Sequence, residues 1–320
     1  MPVHDDLGIR MKENYEIRAR SYLTRRTPVI IRIDGKAFHT FTKGFMKPFD
    51  KLLMNSMWDT MKYLCENIQG CVLGYTQSDE ISLLLIDYKN LESSAWFDYQ
   101  VQKVCSVAAS MATMRFNSVF GSRQVSISNS IYDNYCKKDV LESTDPEVLE
   151  KYEYLIEDLK EYDLYEFGKK EPNKLNKILD KYSEASFTGA LFDARCFNIP
   201  KEEVTNYFFW RQQDAIRNSV QMVGQANFTQ KELEHKSQKD IKEMLKEQKG
   251  IDYDSYTPEC KYGVCCKRAP EFVSYEQLSN PYVVQDTSWM SWKIDKNIPV
   301  FKGEDRGYID CILKEFEPND

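Results

Sequence analysis

The chain predicts an α+β fold: an antiparallel sheet of ferredoxin-like βαββαβ order with flanking helices and a helical insertion. Three observations carry this expectation. Residues 29–33 form a β-branched run, opened by Pro28 and closed by Asp34-Gly35, which reads as a buried strand. Residues 71–75 and 81–86 are two further apolar runs around Thr76-Gln77-Ser78-Asp79, the pattern of a hairpin. Helical spacing fills the gaps, with Leu53, Met57, Met61, Leu64, Cys65 and Ile68 in one and Val101, Val104, Cys105, Ala108, Met111 and Ala112 in the other.

The elements follow in order. Residues 7–22 are charged with scattered apolar positions and predict a helix leading into the first strand. Residues 36–45 predict a short turn or helix whose backbone N–H groups can face an anion. A helix over 50–68 is stopped by Gly70, and a longer one is expected over 95–116. Between 132 and 185 the composition turns acidic and lysine-rich, which predicts an accessory, solvated helical insertion. It has one helix starting at Asp145-Pro146-Glu147, with Leu149, Tyr152, Leu155, Ile156 and Leu159 on one stripe. A second carries Leu175, Ile178, Leu179 and Tyr182. Residues 189–197 give the last core strand, 202–223 a helix, 229–255 a polar and partly helical stretch, and 263–267 with 292–301 short strands. The expected division is a core of 1–131 and 186–228, the insertion at 132–185, and a C-terminal region of 229–320.

The chain has 320 residues and 42% hydrophobic content, enough for a sizeable core. No run is long enough to span a bilayer, and the first residues lack signal-peptide character, so a cytoplasmic protein without membrane contact is expected. Nine cysteines without Cys-x-x-Cys spacing fit reduced thiols. A zinc site from Cys260, Cys265, Cys266 and His235 is disfavoured, because adjacent strand residues point to opposite faces. The net charge of −7 requires any nucleic-acid contact to be local, through Arg18, Arg20, Arg25 and Arg26 or Lys43, Lys47 and Lys51.

In βαββαβ order the first and third strands are adjacent and antiparallel, so Asp34 at one exit meets Asp79 at the other entrance. Two carboxylates beside the Gly35 carbonyl suit hard divalent cations, and a pair of such ions serves phosphoryl and nucleotidyl transfer. Arg32 shares a strand face with Asp34, and Arg195 shares one with Asp193. Ser78 either donates to a phosphate or shapes the bend, while Lys47 and Lys103 face phosphate or water. His39 has no partners that would make a triad.

The segments Arg32-Ile33-Asp34-Gly35-Lys36-Ala37-Phe38-His39, Lys47-Pro48, Gln77-Ser78-Asp79-Glu80, Phe192-Asp193-Ala194-Arg195 and Trp210-Arg211-Gln212-Gln213-Asp214 closely resemble the tRNA-His guanylyltransferase family. The resemblance implies a polymerase-palm-like core that uses two Mg2+ ions, ATP and GTP or another NTP to extend the tRNA 5′ end in the 3′-to-5′ direction. It also implies a homotetramer. Asp34, Gly35 and Asp79 would hold the metals, with Asp34, Asp79 and Glu80 catalytic or supporting. Lys36, Ala37, Phe38, His39 and Ser78 would line the nucleotide site, and Arg32, Lys47, Lys103 and Arg195 would meet phosphates. Where eukaryotic relatives read His-Ile-Asn-Asn-Leu-Tyr-Asn, this chain reads Ile216-Arg217-Asn218-Ser219-Val220-Gln221-Met222. That is similar to the bacterial and archaeal branch and favours templated 5′-end repair. Strict guanosine addition to tRNA-His, a nucleotidyl cyclase on the same palm, and a non-enzymatic tRNA-binding protein are the alternatives.

Overall fold

Val29, Ile30, Ile31 and Ile33 are all fully buried because β1 (Val29–Gly35) has a strand on each side and side chains packed on both faces. In the computed structural model, which describes residues 6–132, 160–271 and 289–316, β1 pairs antiparallel with β3 (Glu80–Leu85) and with β4 (Phe192–Asn198). β2 (Cys71–Gln77) flanks β3, and β5 (Val264–Glu271) with β6 (Trp289–Asp295) extends the sheet beyond it, giving the order β4-β1-β3-β2-β5-β6. The first four strands stand in the expected ferredoxin-like arrangement.

Strand alternation divides the core in two. Val29, Ile31 and Ile33 join Ile81, Leu83 and Leu85 against α3 (Lys51–Asn67), α4 (Val101–Tyr132) and α6 (Pro172–Thr188). Ile30, Tyr75 and Leu84 face the other way, toward Tyr207 and Phe208 of α7 (Val204–Asn227) and Ile309 and Ile312 of α9 (Gly307–Glu315). Cys265 and Cys266 part to these opposite clusters. No helix of the described residues is long and apolar enough to cross a membrane.

Several elements differ from expectation. At the N-terminus, α1 (Asp6–Met11) is followed by a π turn and a 3-10 turn that end at Ala19, and none of these buries a residue. From Ser21 the chain runs extended, with Val101 N donating to Ser21 O and Leu23 N to Tyr99 O. The helix expected over 95–116 begins after a 3-10 turn and continues to Tyr132, because the buried spacing Ala108, Ala112, Phe116 carries on through Phe120, Gln124 and Ile127. Residues 298–301 are not a strand. Pro299 lacks an N–H, and Gln212 holds the turn instead by donating to Pro299 O at 2.9 Å and accepting from Phe301 N at 2.8 Å. In the polar stretch, Ser237 caps α8 (Gln238–Lys249).

The larger correction concerns the region ahead of β4. The helix expected from 145 lies outside the described residues. α5 (Leu164–Lys170) and α6 are not solvated appendages, since Leu164, Leu175, Ile178, Leu179, Tyr182 and Ala185 all enter the main core. Lysines and acids on the opposite face of α6 conceal this in the composition, although its apolar spacing is regular. The Tyr182 hydroxyl reaches Asp50 at 2.6 Å, where that carboxylate caps α3 through Leu53 N and also accepts from Met46 N, both at 2.9 Å. Burial pushes the Asp50 carboxyl up despite these donors. Tyr182→Phe should therefore cost about 1.5–3 kcal/mol of stability at neutral pH, read as a lower midpoint in urea unfolding.

Candidate active site

The register of the two central strands sets the site. Asp34 lies opposite Glu80, and Gly35 N donates to Asp79 O at 3.1 Å, so Asp34, Gly35 and Asp79 meet at one end of β1 and β3. Burial pushes the Asp79 carboxyl up and the neighbouring Asp34 adds to this, while Ser78 Oγ opposes it by donating to Asp79 Oδ1 at 3.0 Å. Only glycine fits at position 35, because a Cβ there would lie 2.1 Å from the Phe38 ring. That ring is itself packed on Phe41, Phe116 and Phe192. Ala37 (φ 53°) and Ser78 (φ 50°) both occupy the left-handed region, at about 1–2 kcal/mol each, on the two turns that flank the carboxylates.

Beside this strand end opens a cavity of about 650 Å³. Of the residues expected at the site, Gly35, Ala37, Phe38, His39, Lys47, Ser78 and Asp79 line it. α2 (Phe38–Phe41) and the turn after it supply one wall, while Asn218, Ser219, Met222 and Gln225 of α7 supply another. Those α7 residues carried no signal in sequence beyond following the Trp210–Asp214 motif, since an amide on an amphipathic helix reads as surface until its neighbours are known.

Arg32, Glu80 and Arg195 gather on the sheet face under α7. Glu80 accepts from Arg211 Nε at 2.8 Å and lies 3.9 Å from Arg32 Nε, and Arg211 also pairs with Asp214 at 2.8 Å. Burial raises the Glu80 carboxyl even so, with the two arginines opposing it. Glu80 thus anchors α7 to β3 and does not line the cavity. Arg195, in register with Arg32, pairs with Asp193 at 3.1 Å.

Two expected contacts fall elsewhere. Lys36 is exposed and outside the cavity lining. Lys103 places its ammonium over the Phe97 ring at 4.5 Å, in the first turn of α4. The level of Gly35 is reached only ten residues later, where Thr113 Oγ1 accepts from Phe192 N, about 15 Å further along the helix. The structure does not bring Lys103 to the carboxylates.

The donors that do converge are two carboxylates and a backbone carbonyl, all hard oxygens. The Asp79 carboxyl is raised chiefly by burial, with Asp34 adding to it, and a divalent ion would favour the charged form of both acids, so the residues present fit magnesium.

Gly35→Ala should displace the Phe38 ring and lower stability by about 1–3 kcal/mol, measured by thermal unfolding. Arg211→Met should cost about 3 kcal/mol at neutral pH by leaving buried Glu80 without its hydrogen-bonded partner and with Arg32 alone at 3.9 Å. The sign with pH follows from linkage. A folded-state carboxyl raised above its unfolded value favours the fold below the unfolded carboxylate range and loses that contribution as pH climbs through the raised value. Removing Arg211 raises Glu80 further, so the deficit should shrink in acid and widen toward neutrality; a deficit constant with pH would contradict the assignment.

A protein-family model described as tRNAHis guanylyltransferase matches residues 9–137. Among solved structures, a bacterial tRNA(His) guanylyltransferase-like protein in complex with ATP is 35% identical with a TM-score of 0.65, covering 96% of this chain and 98% of that one. A bacterial tRNA(His) guanylyltransferase-like protein in complex with GTP is 33% identical with a TM-score of 0.64, covering 97% and 99%. The tRNA(His) guanylyltransferase of Debaryomyces hansenii is 23% identical over 270 residues, 80% of this chain and 79% of that protein. With such identity to bacterial relatives over nearly the full length of both chains, this protein belongs to the tRNA(His) guanylyltransferase family, whose members are nucleotidyltransferases.

Proposed function

We propose that this chain extends the 5′ end of tRNA in the 3′-to-5′ direction, using ATP to activate the end and GTP or a templated NTP to extend it. The observation that carries the reading is the convergence of Asp34, Gly35 and Asp79 beside a cavity of about 650 Å³. Support comes from the bacterial relatives, whose structures are complexes with ATP and with GTP.

In this reading a tRNA 5′-phosphate attacks ATP and pyrophosphate leaves; the 3′-hydroxyl of the incoming NTP then attacks the activated phosphate and AMP leaves. Asp34, Asp79 and the Gly35 carbonyl would hold two Mg2+ ions, which would supply neutralisation of triphosphate charge and a more acidic attacking hydroxyl. Lys47 and Ser78 hold phosphate oxygens from the cavity wall, and His39 borders the same space. Arg32 and Arg195 offset negative charge on the α7 side. Glu80 keeps Arg211, and with it α7, in place. We carry the homotetramer as part of the proposal, to be read from solution mass.

Templated repair is the preferred role, because Ile216 to Met222 replace the motif tied to strict guanylylation and Asn218 of that replacement borders the cavity. The test is incorporation of labelled nucleotide at tRNA 5′ ends, with and without magnesium. A 5′-truncated tRNA with a template base should outrank intact tRNA-His; preference for untemplated guanosine on tRNA-His would reverse the role. Asp34→Asn and Asp79→Asn should each lower incorporation by roughly three orders of magnitude with little loss of stability. A cyclic product from GTP alone, or full function in both variants, would overturn the assignment.

A further inference from the structure

Most of the Trp210–Asp214 motif is explained by its contacts. Arg211 holds Glu80, and Gln212 holds the turn at Pro299 and Phe301. Trp210 is not explained in that way: it remains 47% exposed, the one large aromatic on the face of α7 that also exposes Asn206, Gln213 and Arg217. α7 directs Phe208 toward Tyr75 and Phe301 and Tyr207 toward Phe197 of β4. Trp210 lies about 60° around the helix from Tyr207, away from Phe208, so it overhangs the β4 side of the sheet. Its ring is backed by Tyr207 at 5.9 Å and by the Arg211 guanidinium at 4.3 Å, which fixes its orientation while one face stays open.

Below that flank lie Arg32 and Arg195, in register and on the face that carries Asp34. Buried Arg32 Nε makes no hydrogen bond. An oriented open indole beside two guanidiniums has the make-up of a site for single-stranded nucleic acid, with a base on the ring and phosphates on the cations. Trp210 is outside the lining of the 650 Å³ cavity, and β4 is an edge strand, so a polymer can lie over this flank without entering the cavity.

We propose that Trp210 is a positioning residue that stacks the terminal base of the RNA 5′ end and so presents its phosphate to Asp34. This rests on the reading of the chain as a tRNA 5′-end nucleotidyltransferase. The test places 2-aminopurine either at the 5′-terminal position of a tRNA or in a free nucleoside triphosphate, and follows its fluorescence with wild type, Trp210→Phe and Trp210→Leu. With wild type and the Phe variant the tRNA probe should be quenched. The Leu variant should lose the quench and raise the KM for tRNA by roughly five- to a hundredfold, the range of one base–aromatic stack, with the Phe variant restoring it. Retained quenching and KM in the Leu variant, quenching of the free nucleotide instead, or a change only in solution mass would overturn the proposal. A melting temperature matched to wild type qualifies the Leu variant, and otherwise the same readings are taken from Trp210→Tyr against Trp210→His. Wild type that neither binds nor extends tRNA would refute the underlying function, whereas wild-type activity with an indifferent Leu variant refutes this inference alone.

Discussion

The antiparallel pairing of β1 with β3 is the constraint on which the rest depends. Its register puts Asp34 opposite Glu80 and ties Gly35 to the Asp79 carbonyl, so two acids 45 residues apart in sequence share one strand end. A slip by one residue would exchange faces throughout, sending Ile31 and Ile33 toward α7 and turning Arg32 into the apolar cluster under α3 and α4. Burial of those isoleucines therefore specifies the register, and the register specifies the chemistry.

That dependence explains what was legible in the chain. β-branched runs and helical stripes locate the central strands and the helices between them, and βαββαβ order alone brings Asp34 and Asp79 together. The contributions of α7 and α6 were not legible in the same way. Asn218 and Gln225 reach the cavity because of where α7 lies on the sheet, and no local pattern encodes that position. α6 hid behind a charged outer face: its composition matches a solvated helix, while Leu175, Ile178, Leu179 and Tyr182 fill the main core. Lys103 shows the converse, a cation whose helix is foreseen but whose level along the sheet depends on where α4 begins.

Two buried carboxylates outside the acid pair hold the walls in place. Asp50 draws the 46–53 segment, α3 and Tyr182 of α6 together on one side of the cavity, and Glu80 draws Arg211 and α7 onto the sheet on the other. Each carries a desolvation cost that its donors offset, and each is costly to unpair. Such groups specify geometry more than they add stability, because an apolar substitute would leave the helices free to settle at another depth.

The same argument bears on why strain collects here. Ala37 and Ser78 adopt left-handed backbone on either side of the acid pair, and Gly35 meets Phe38 where no side chain fits. These turns are bent because Asp34 and Asp79 must leave their strands toward a shared point while the chain continues around the cavity. The aromatic packing of Phe38 with Phe41, Phe116 and Phe192 offsets that cost from beneath, since its burial holds the first turn closed whether or not the cavity is filled. The site is thus shaped by the core below it, and a ligand entering the cavity meets Asp79 already held on its wall, with Asp34 at the adjoining strand end.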